Sequence, residues 1–246
     1  MSTKKDNYWI PLADLMTVLM VIFLFMAISY MVVIKKKQDN QNKIFEEYEK
    51  AKISLFNELS NTFKSDSAKW HLKLDKDLSI KFTDPQVLFA DGSSEIKVEF
   101  QNILSQFIPK YLDVVLQEKY KNRIAEIRIE GHTNSKGLNS NQVCDFKNDP
   151  YMDNMELSQT RARMVLSELR KQDCFIRLEK EKKDRLQYWL TANGLSFGRT
   201  VDATNKLSFF SGNPVDNDKS RRVEFRIVTT SDEIINQAIN QIRKNP

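Results

Sequence analysis

One carboxylate in this chain stands where charge is least expected. Asp, Glu, Lys and Arg make up 29% of the 246 residues, yet residues 10–34 hold a single charged side chain, Asp14. Two readings of Asp14 are open. Near a membrane interface it stays wet and complements the positive end of the helix dipole. Buried against another helix it becomes a proton- or cation-binding carboxylate, with Thr17 and Val18 at i+3 and i+4 on the same face. One helix cannot enclose an ion path, so the second reading requires a polytopic partner around the chain.

Other chemistries are excluded by what is scarce. Six glycines leave little room for a phosphate cradle, and neither G-x-x-x-x-G-K nor G-x-G-x-x-G occurs. Two histidines and two cysteines cannot build a zinc site of the usual nitrogen and sulfur ligands without carboxylates. The net charge of +5 is spread through interleaved acids and bases, with no concentrated basic face for nucleic acid. No pair of catalytic carboxylates and no metal cluster stands in a motif that would make the chain an enzyme.

The elements that must position Asp14 and the downstream residues follow from periodicity. Residues 10–34 are long enough for a membrane helix, because about 20 apolar residues cross a bilayer core about 30 Å thick. The run is too long for a signal peptide and no cleavage site follows it, so it reads as an uncleaved anchor after a tail of residues 1–9. Pro11 suits the first helical turn, and Tyr8, Trp9 and Tyr30 suit the two interfaces.

Residues 35–77 form a helical linker. Its apolar positions Ile44, Tyr48, Ala51, Leu55, Leu59 and Phe63 have helical spacing. At 1.5 Å per residue the stripe reaches about 40 Å beyond the membrane. So narrow a stripe suits pairing with a second copy or packing onto the domain that follows.

Residues 78–230 read as a separate folded domain. Strands are expected at 78–82, 124–130, 188–192 and 222–229, the last alternating Val223, Phe225 and Ile227. Helices are expected at 99–116, interrupted at Pro109, and at 155–172, with a C-terminal helix over 231–246. Alternating strands and helices predict an α+β fold, a sandwich of a mixed sheet with helices on one face.

Three segments in this domain carry a resemblance. Gly131-His132-Thr133-Asn134 is followed by Asn154-x-x-Leu157-Ser158-x-x-Arg161-Ala162-x-x-Val165, then by Ser220-Arg221-Arg222-Val223-Glu224-Phe225. In that order and spacing they resemble the signatures of the OmpA-like peptidoglycan-binding domain, over roughly residues 78–230. The short tail, the single helix with its early acid in P-L-A-D-L-M-T, and the linker resemble the MotB class of ion-driven stator subunits. Within that class the chain is similar to the MotB-like subunits of Zorya anti-phage systems, the flagellar type being the alternative.

The resemblance implies a peptidoglycan site made by Asn134, Asn154, Leu157, Arg161 and Arg221. Arg161 would take a ligand carboxylate with its planar fork. The family's Asp is Asn134 here, which still accepts a hydrogen bond from an ammonium group but loses the ion pair, and this puts diaminopimelate binding in doubt. Asn154 and Leu157 would shape the loop and helix start. Arg221 and Arg222 would buttress the pocket, with a surface charge at a strand end as the alternative for Arg222. His132 is expected as a structural hydrogen-bonder. The stretch 135–153 would cover or reshape the site. Asp145, Asp149 and Asp153 within it read as a solvated acidic loop rather than a calcium site. In an oxidising periplasm Cys144 and Cys174 would form a disulfide, free thiols being the alternative.

The resemblance further implies a homodimer inside a pentameric MotA-like membrane partner, with Asp14 carrying a proton or sodium ion as the only cofactor-like species. A passive tether between membrane and cell wall is the competing expectation, and it has no need of Asp14. A wall-binding domain places residues 78–230 in the periplasm and the N-terminus in the cytoplasm. Lys4 and Lys5 before the helix, against Lys35, Lys36 and Lys37 after it, vote weakly the other way.

Overall fold

The structure is a computed structural model, and it describes residues 9–90, 92–134 and 149–230, with the side chains of residues 10, 11, 40, 41, 44 and 45 left aside. Several expectations lie outside the described residues: the tail before Trp9, Cys144 and with it the Cys144–Cys174 pairing, Asp145, most of the stretch 135–153, the packing of Ile44, and the helix at 231–246. The chain divides into two compact units, Met1–Glu47 and Tyr48–Pro246.

Helix α1 is Trp9–Phe63. In the first unit its Leu12–Asp39 stretch is long and apolar enough to cross a membrane. Leu15, Leu19, Phe23 and Met26 are all exposed, as are the large apolar side chains between them. A helix that is apolar on every side has no solvent-facing stripe and needs an apolar surrounding. Asp14 interrupts this surface one turn from the start, and the Thr17 hydroxyl donates to the Ala13 carbonyl at 2.8 Å.

The second unit contains the end of α1 and a sheet. Among the described residues the strands are β1 (Leu72–Leu74), β2 (Ser79–Phe82), β3 (Ile124–His132), β4 (Leu190–Gly194) and β5 (Arg222–Thr229), in the spatial order β1-β2-β5-β3-β4. β3 and β4 are parallel and the other pairs antiparallel, so the sheet is mixed as expected. The helices are α2 (Pro85–Leu88), α3 (Val98–Val115), α4 (Pro150–Lys171), α5 (Asp173–Ile176), α6 (Lys180–Trp189), α7 (Ser208–Ser211) and α8 (Asn217–Ser220).

Strand alternation sorts the two faces of the sheet. Ile80, Phe82, Ile127, Ile129, Val223, Phe225 and Ile227 are buried on one face, because successive side chains point to opposite sides. Phe225 meets Phe82, Phe107 and Tyr111 at ring distances of 6.0, 5.1 and 5.6 Å. Lys81, Arg128, Glu130, Glu224 and Arg226 occupy the other face.

The end of α1 answers the two expectations for the linker. Leu55, Leu59 and Phe63 are buried in the core of this unit, and Phe63 stacks on Phe107 at 4.9 Å. Ser54 and the Tyr120 hydroxyl share a hydrogen bond of 3.1 Å, and Lys119 pairs with Glu58. This part of the stripe is therefore a helix of the domain.

Other elements differ from the sequence reading. α3 runs through Pro109 without a break: the ring is half-buried, and the Ser105 carbonyl that would have received its missing N–H lies on the exposed side of the helix. α4 begins at Pro150, ahead of the expected Met155, because Asp149 caps it by accepting from the Tyr151 N–H at 2.9 Å. Tyr188 belongs to α6 and the strand starts at Leu190, since Leu186 and Trp189 turn their helical face into the core.

Candidate functional site

The three sequence signatures converge where α4 crosses the ends of β3 and β4. A Cβ placed on Gly131 would lie 2.2 Å from the Ser158 carbonyl oxygen, and one on Gly194 would lie 2.4 Å from the Gln159 nitrogen. Only glycine admits a helix backbone so close. Leu195 N–H donates to the Gly131 carbonyl, Thr133 N–H to that of Ser196, and Ser196 N–H to the Ser158 hydroxyl, each at 3.0 Å. Gly131, Ser158 and Ser196 thus lock the loop after β3 against the helix that carries Arg161.

Arg161 is 8% exposed and projects from α4 under the loop that follows α2. Its Nε donates to the Ser93 carbonyl at 2.9 Å and Nη2 to that of Ala90 at 3.4 Å, while the guanidinium lies 5.0 Å from the centre of the Phe89 ring. Phe89, His132, Arg161, Arg221 and Arg222 line a cavity of about 20 Å³. Among the described residues three guanidinium groups and no carboxylate line it, a composition suited to a small anionic group.

Of the other expected site residues, Asn134, Asn154 and Leu157 lie outside the lining of this cavity. Asn134 Nδ2 donates to the Asn217 carbonyl at 3.2 Å, fixing the side-chain amide at the start of α8. Asn154 Nδ2 donates to the Pro150 carbonyl at 2.9 Å within the first turns of α4. Leu157 lines a neighbouring open cleft with Gly92, Ser93 and Thr160. Arg221, which does line the cavity, pairs through Nη2 with Asp218 at 3.0 Å.

Arg222 is not a surface charge at a strand end. It is buried, with Nε donating to Glu224 Oε1 at 2.6 Å, Nη1 to the Ser220 carbonyl and Nη2 to the Arg199 carbonyl, both at 3.2 Å. The reason is the segment between β4 and β5, whose Arg199 and Ser220 carbonyls accept from the guanidinium.

His132 also departs from expectation. The ring is 2% exposed, its Nε2 lies 3.6 Å from both Glu130 Oε2 and Glu224 Oε1, and neither nitrogen has a hydrogen-bond partner among the described residues. Burial, reinforced by Arg222, pushes the imidazole pKa down against the pull of the two glutamates. Burial works against ionising Glu224, but His132, Arg222, Lys81 and Arg226 outweigh it and hold the carboxyl at about 2. Sequence reasoning missed Glu130 and Glu224 as buried charges; their alternation with Ile129, Val223 and Phe225 places them on the opposite face of the sheet and gives no sign of burial.

Glu130, His132 and Glu224 bring their donor atoms within 4.8 Å of one another, a spacing that could hold a metal ion. The surroundings do not fit one. Arg222 already occupies Glu224, Arg226 lies 3.2 Å from Glu224 and 3.5 Å from Glu130, and Lys81 is 3.9 Å from Glu224. A divalent cation would enter among three positive groups and displace a buried ion pair. The cluster is a compensated charge network beneath the cavity.

No family model matches the chain. It is 32% identical to Zorya protein ZorB of Escherichia coli strain Crooks over an alignment of 249 positions that covers 97% of this chain and 96% of that protein. Among solved structures it is similar to a MotB-like protein from Desulfovibrio vulgaris, with 20% identity and a TM-score of 0.47 over 76% of this chain and 99% of that one. It is also similar to the cell wall anchor of the T6SS from Pseudomonas aeruginosa, with 18% identity and a TM-score of 0.42 over 70% and 96% of the two chains.

Proposed function

The chain belongs to the ZorB family, and from that membership we propose that it is the peptidoglycan-anchored, MotB-like subunit of an ion-driven stator in the bacterial inner membrane, acting in anti-phage defence. The observation that carries the reading is the presence in one chain of Asp14 within an apolar helix and of Arg161 in a buried cationic cavity. A carboxylate in contact with lipid is costly, though less near a helix end, where Asp14 lies, than at the centre, and burial against a partner helix relieves that cost.

In this reading two copies of the helix stand inside a ring of five MotA-like, here ZorA-like, subunits. Asp14 takes up a proton or sodium ion from one side and releases it to the other as the ring moves past. The ring turns relative to the helix pair only if that pair is held still, and the C-terminal unit holds it by binding the cell wall. The N-terminus is then cytoplasmic and residues 78–230 are periplasmic.

The cavity supports the wall contact through charge. Arg161 and Arg221 suit a stem-peptide carboxylate, with Arg222 as a buttress tied to Glu224, while Asn134 offers an amide where the related domains carry an acid. An ammonium would therefore be held by hydrogen bonding without an ion pair, so the carboxylate contributes the larger share of binding.

Phage protection and ion flux in cells carrying Asp14→Asn or Arg161→Ala test the reading. Both variants should lose protection, but only Asp14→Asn should lose flux with wall binding intact. If Asp14→Asn keeps both protection and flux while Arg161→Ala loses protection, the chain is a passive tether.

A further inference from the structure

The lobe between β4 and β5 carries an exposed aromatic pair. Phe209 and Phe210 on α7 are 87% and 81% exposed, with ring centres 5.2 Å apart and planes at 84°. Exposed apolar surface forgoes about 25 cal/mol per Å² that burial would return, and contiguous patches of this kind mark interaction sites.

The lobe holds the pair by construction. Isolated bridges join Val201 to Leu207 and Asp202 to Val215 at its base. The Asp202 carboxylate accepts from Thr204 N–H at 2.8 Å, the Thr204 hydroxyl at 2.7 Å, Lys206 N–H at 3.0 Å and Asn213 Nδ2 at 2.9 Å. Gly212 closes α7 in the left-handed region at φ +67° and donates to the Ser208 carbonyl at 2.9 Å.

The same lobe builds the cationic cavity. Arg199 and Asn217 supply the carbonyls that receive Arg222 and Asn134, and Arg221 follows α8 directly.

The chemistry of the tip selects among partners. Residues 207–215 (LSFFSGNPV) contain no charged side chain in a chain that is 29% charged. An anionic membrane surface is met by Lys and Arg set among the apolar residues, and the tip has none. Aromatic faces beside the neutral side chains of Ser211 and Asn213 match a pyranose ring, whose C–H face stacks on a π-system while its hydroxyls meet uncharged polar groups.

We propose that Phe209 and Phe210 form a carbohydrate-stacking element that grips the glycan strand of the cell-wall polymer. The proposal rests on the peptidoglycan reading of the Arg161 cavity. Two modest contacts on one polymer raise its apparent affinity by about 10²–10⁴ over either alone.

Full-length protein in detergent, wild-type or with F209S/F210S, should be measured against purified sacculi, peptide-free glycan strands, the free stem tripeptide ending in diaminopimelate, and phosphatidylglycerol vesicles. F209S/F210S should weaken sacculus binding at least about tenfold, as expected for losing aromatic anchors. It should also abolish glycan-strand binding and leave tripeptide binding unchanged, while Phe209→Trp should keep all three. Sacculus binding equal to wild type, a matching loss on the tripeptide, or a loss seen only on vesicles would overturn the proposal. Wild-type failure on the tripeptide with glycan strands still bound would instead remove the Arg161 reading.

Discussion

Gly131 lies so close to Ser158 that the Ser158 carbonyl oxygen occupies the space a side chain would need, 2.2 Å from an ideal Cβ. The penultimate residue of β3 and the residue that precedes Arg161 by less than one helical turn are therefore packed backbone to backbone. Gly131→Ala should destabilise the domain by about 3 kcal/mol, the upper part of the range for overpacking. Thermal unfolding of the full-length protein should show the loss, and sacculus binding should fall further than stability alone explains, because α4 and Arg161 must shift together. Gly92→Ala meets nothing within 4 Å, but at φ +67° it costs only the strain of one left-handed residue, about 1 kcal/mol. It provides a milder comparison.

Acidification should weaken the fold in two steps. His132 is buried and its folded-state pKa is depressed below its ordinary 6.5, so the unfolded chain binds a proton first and stability falls as pH drops from about 6.5. Glu224 is held at about 2 against an ordinary 4.5, so its contribution is present above 4.5 and is lost as pH falls towards 2. Glu130 and Glu224 face the imidazole, with Arg222 and Arg226 behind them. His132→Gln should remove the first step and narrow the second, because the imidazole is among the groups that hold the Glu224 carboxyl down. A melting temperature that starts to fall near pH 6.5 in both proteins would contradict this assignment.

The central strands and the three signatures could be read from sequence because each has a strong local signal. Val223, Phe225 and Ile227 alternate cleanly, and Asn154, Leu157, Ser158, Arg161, Ala162 and Val165 keep helical spacing. α6 gave no such signal: its core contacts come chiefly from Leu186 and Trp189, set among charged residues whose outer face is solvated. The burial of Arg222 and Glu224 could not be read either, because it depends on a lobe that folds back from residues distant in sequence. The continuation of the linker stripe into the core has the same cause, since Phe63 finds Phe107 only in the folded domain.

Asp202 organises the lobe that presents Phe209 and Phe210. Hydrogen bonds from Asn213 and Thr204 lead the causes that hold its carboxyl far below the ordinary range. Asp202→Ala leaves Thr204 N–H, Lys206 N–H and Asn213 Nδ2 without their acceptor. Thr204, Lys206 and Asn213 are exposed, so these donors turn to water and the lobe loosens while global stability changes little. Hydrogen exchange should quicken at residues 201–216 while β3 and β5 keep their protection. Uniform acceleration across the domain would show that the lobe does not open separately from the sheet.

Arg161→Lys separates charge from geometry at the cavity. Lysine keeps the positive charge but cannot reproduce a planar fork that donates to Ser93 and Ala90 while stacking on Phe89. If charge alone held the wall peptide, the variant would bind the stem tripeptide nearly as well as wild type. The geometry predicts otherwise: the substituted side chain loses the second donor towards a carboxylate and releases the loop carried by Phe89. Tripeptide affinity should fall by at least about tenfold, equivalent to about 1.4 kcal/mol, and approach that of Arg161→Ala. Ion flux should be retained in both variants, because Asp14 and the apolar helix are untouched.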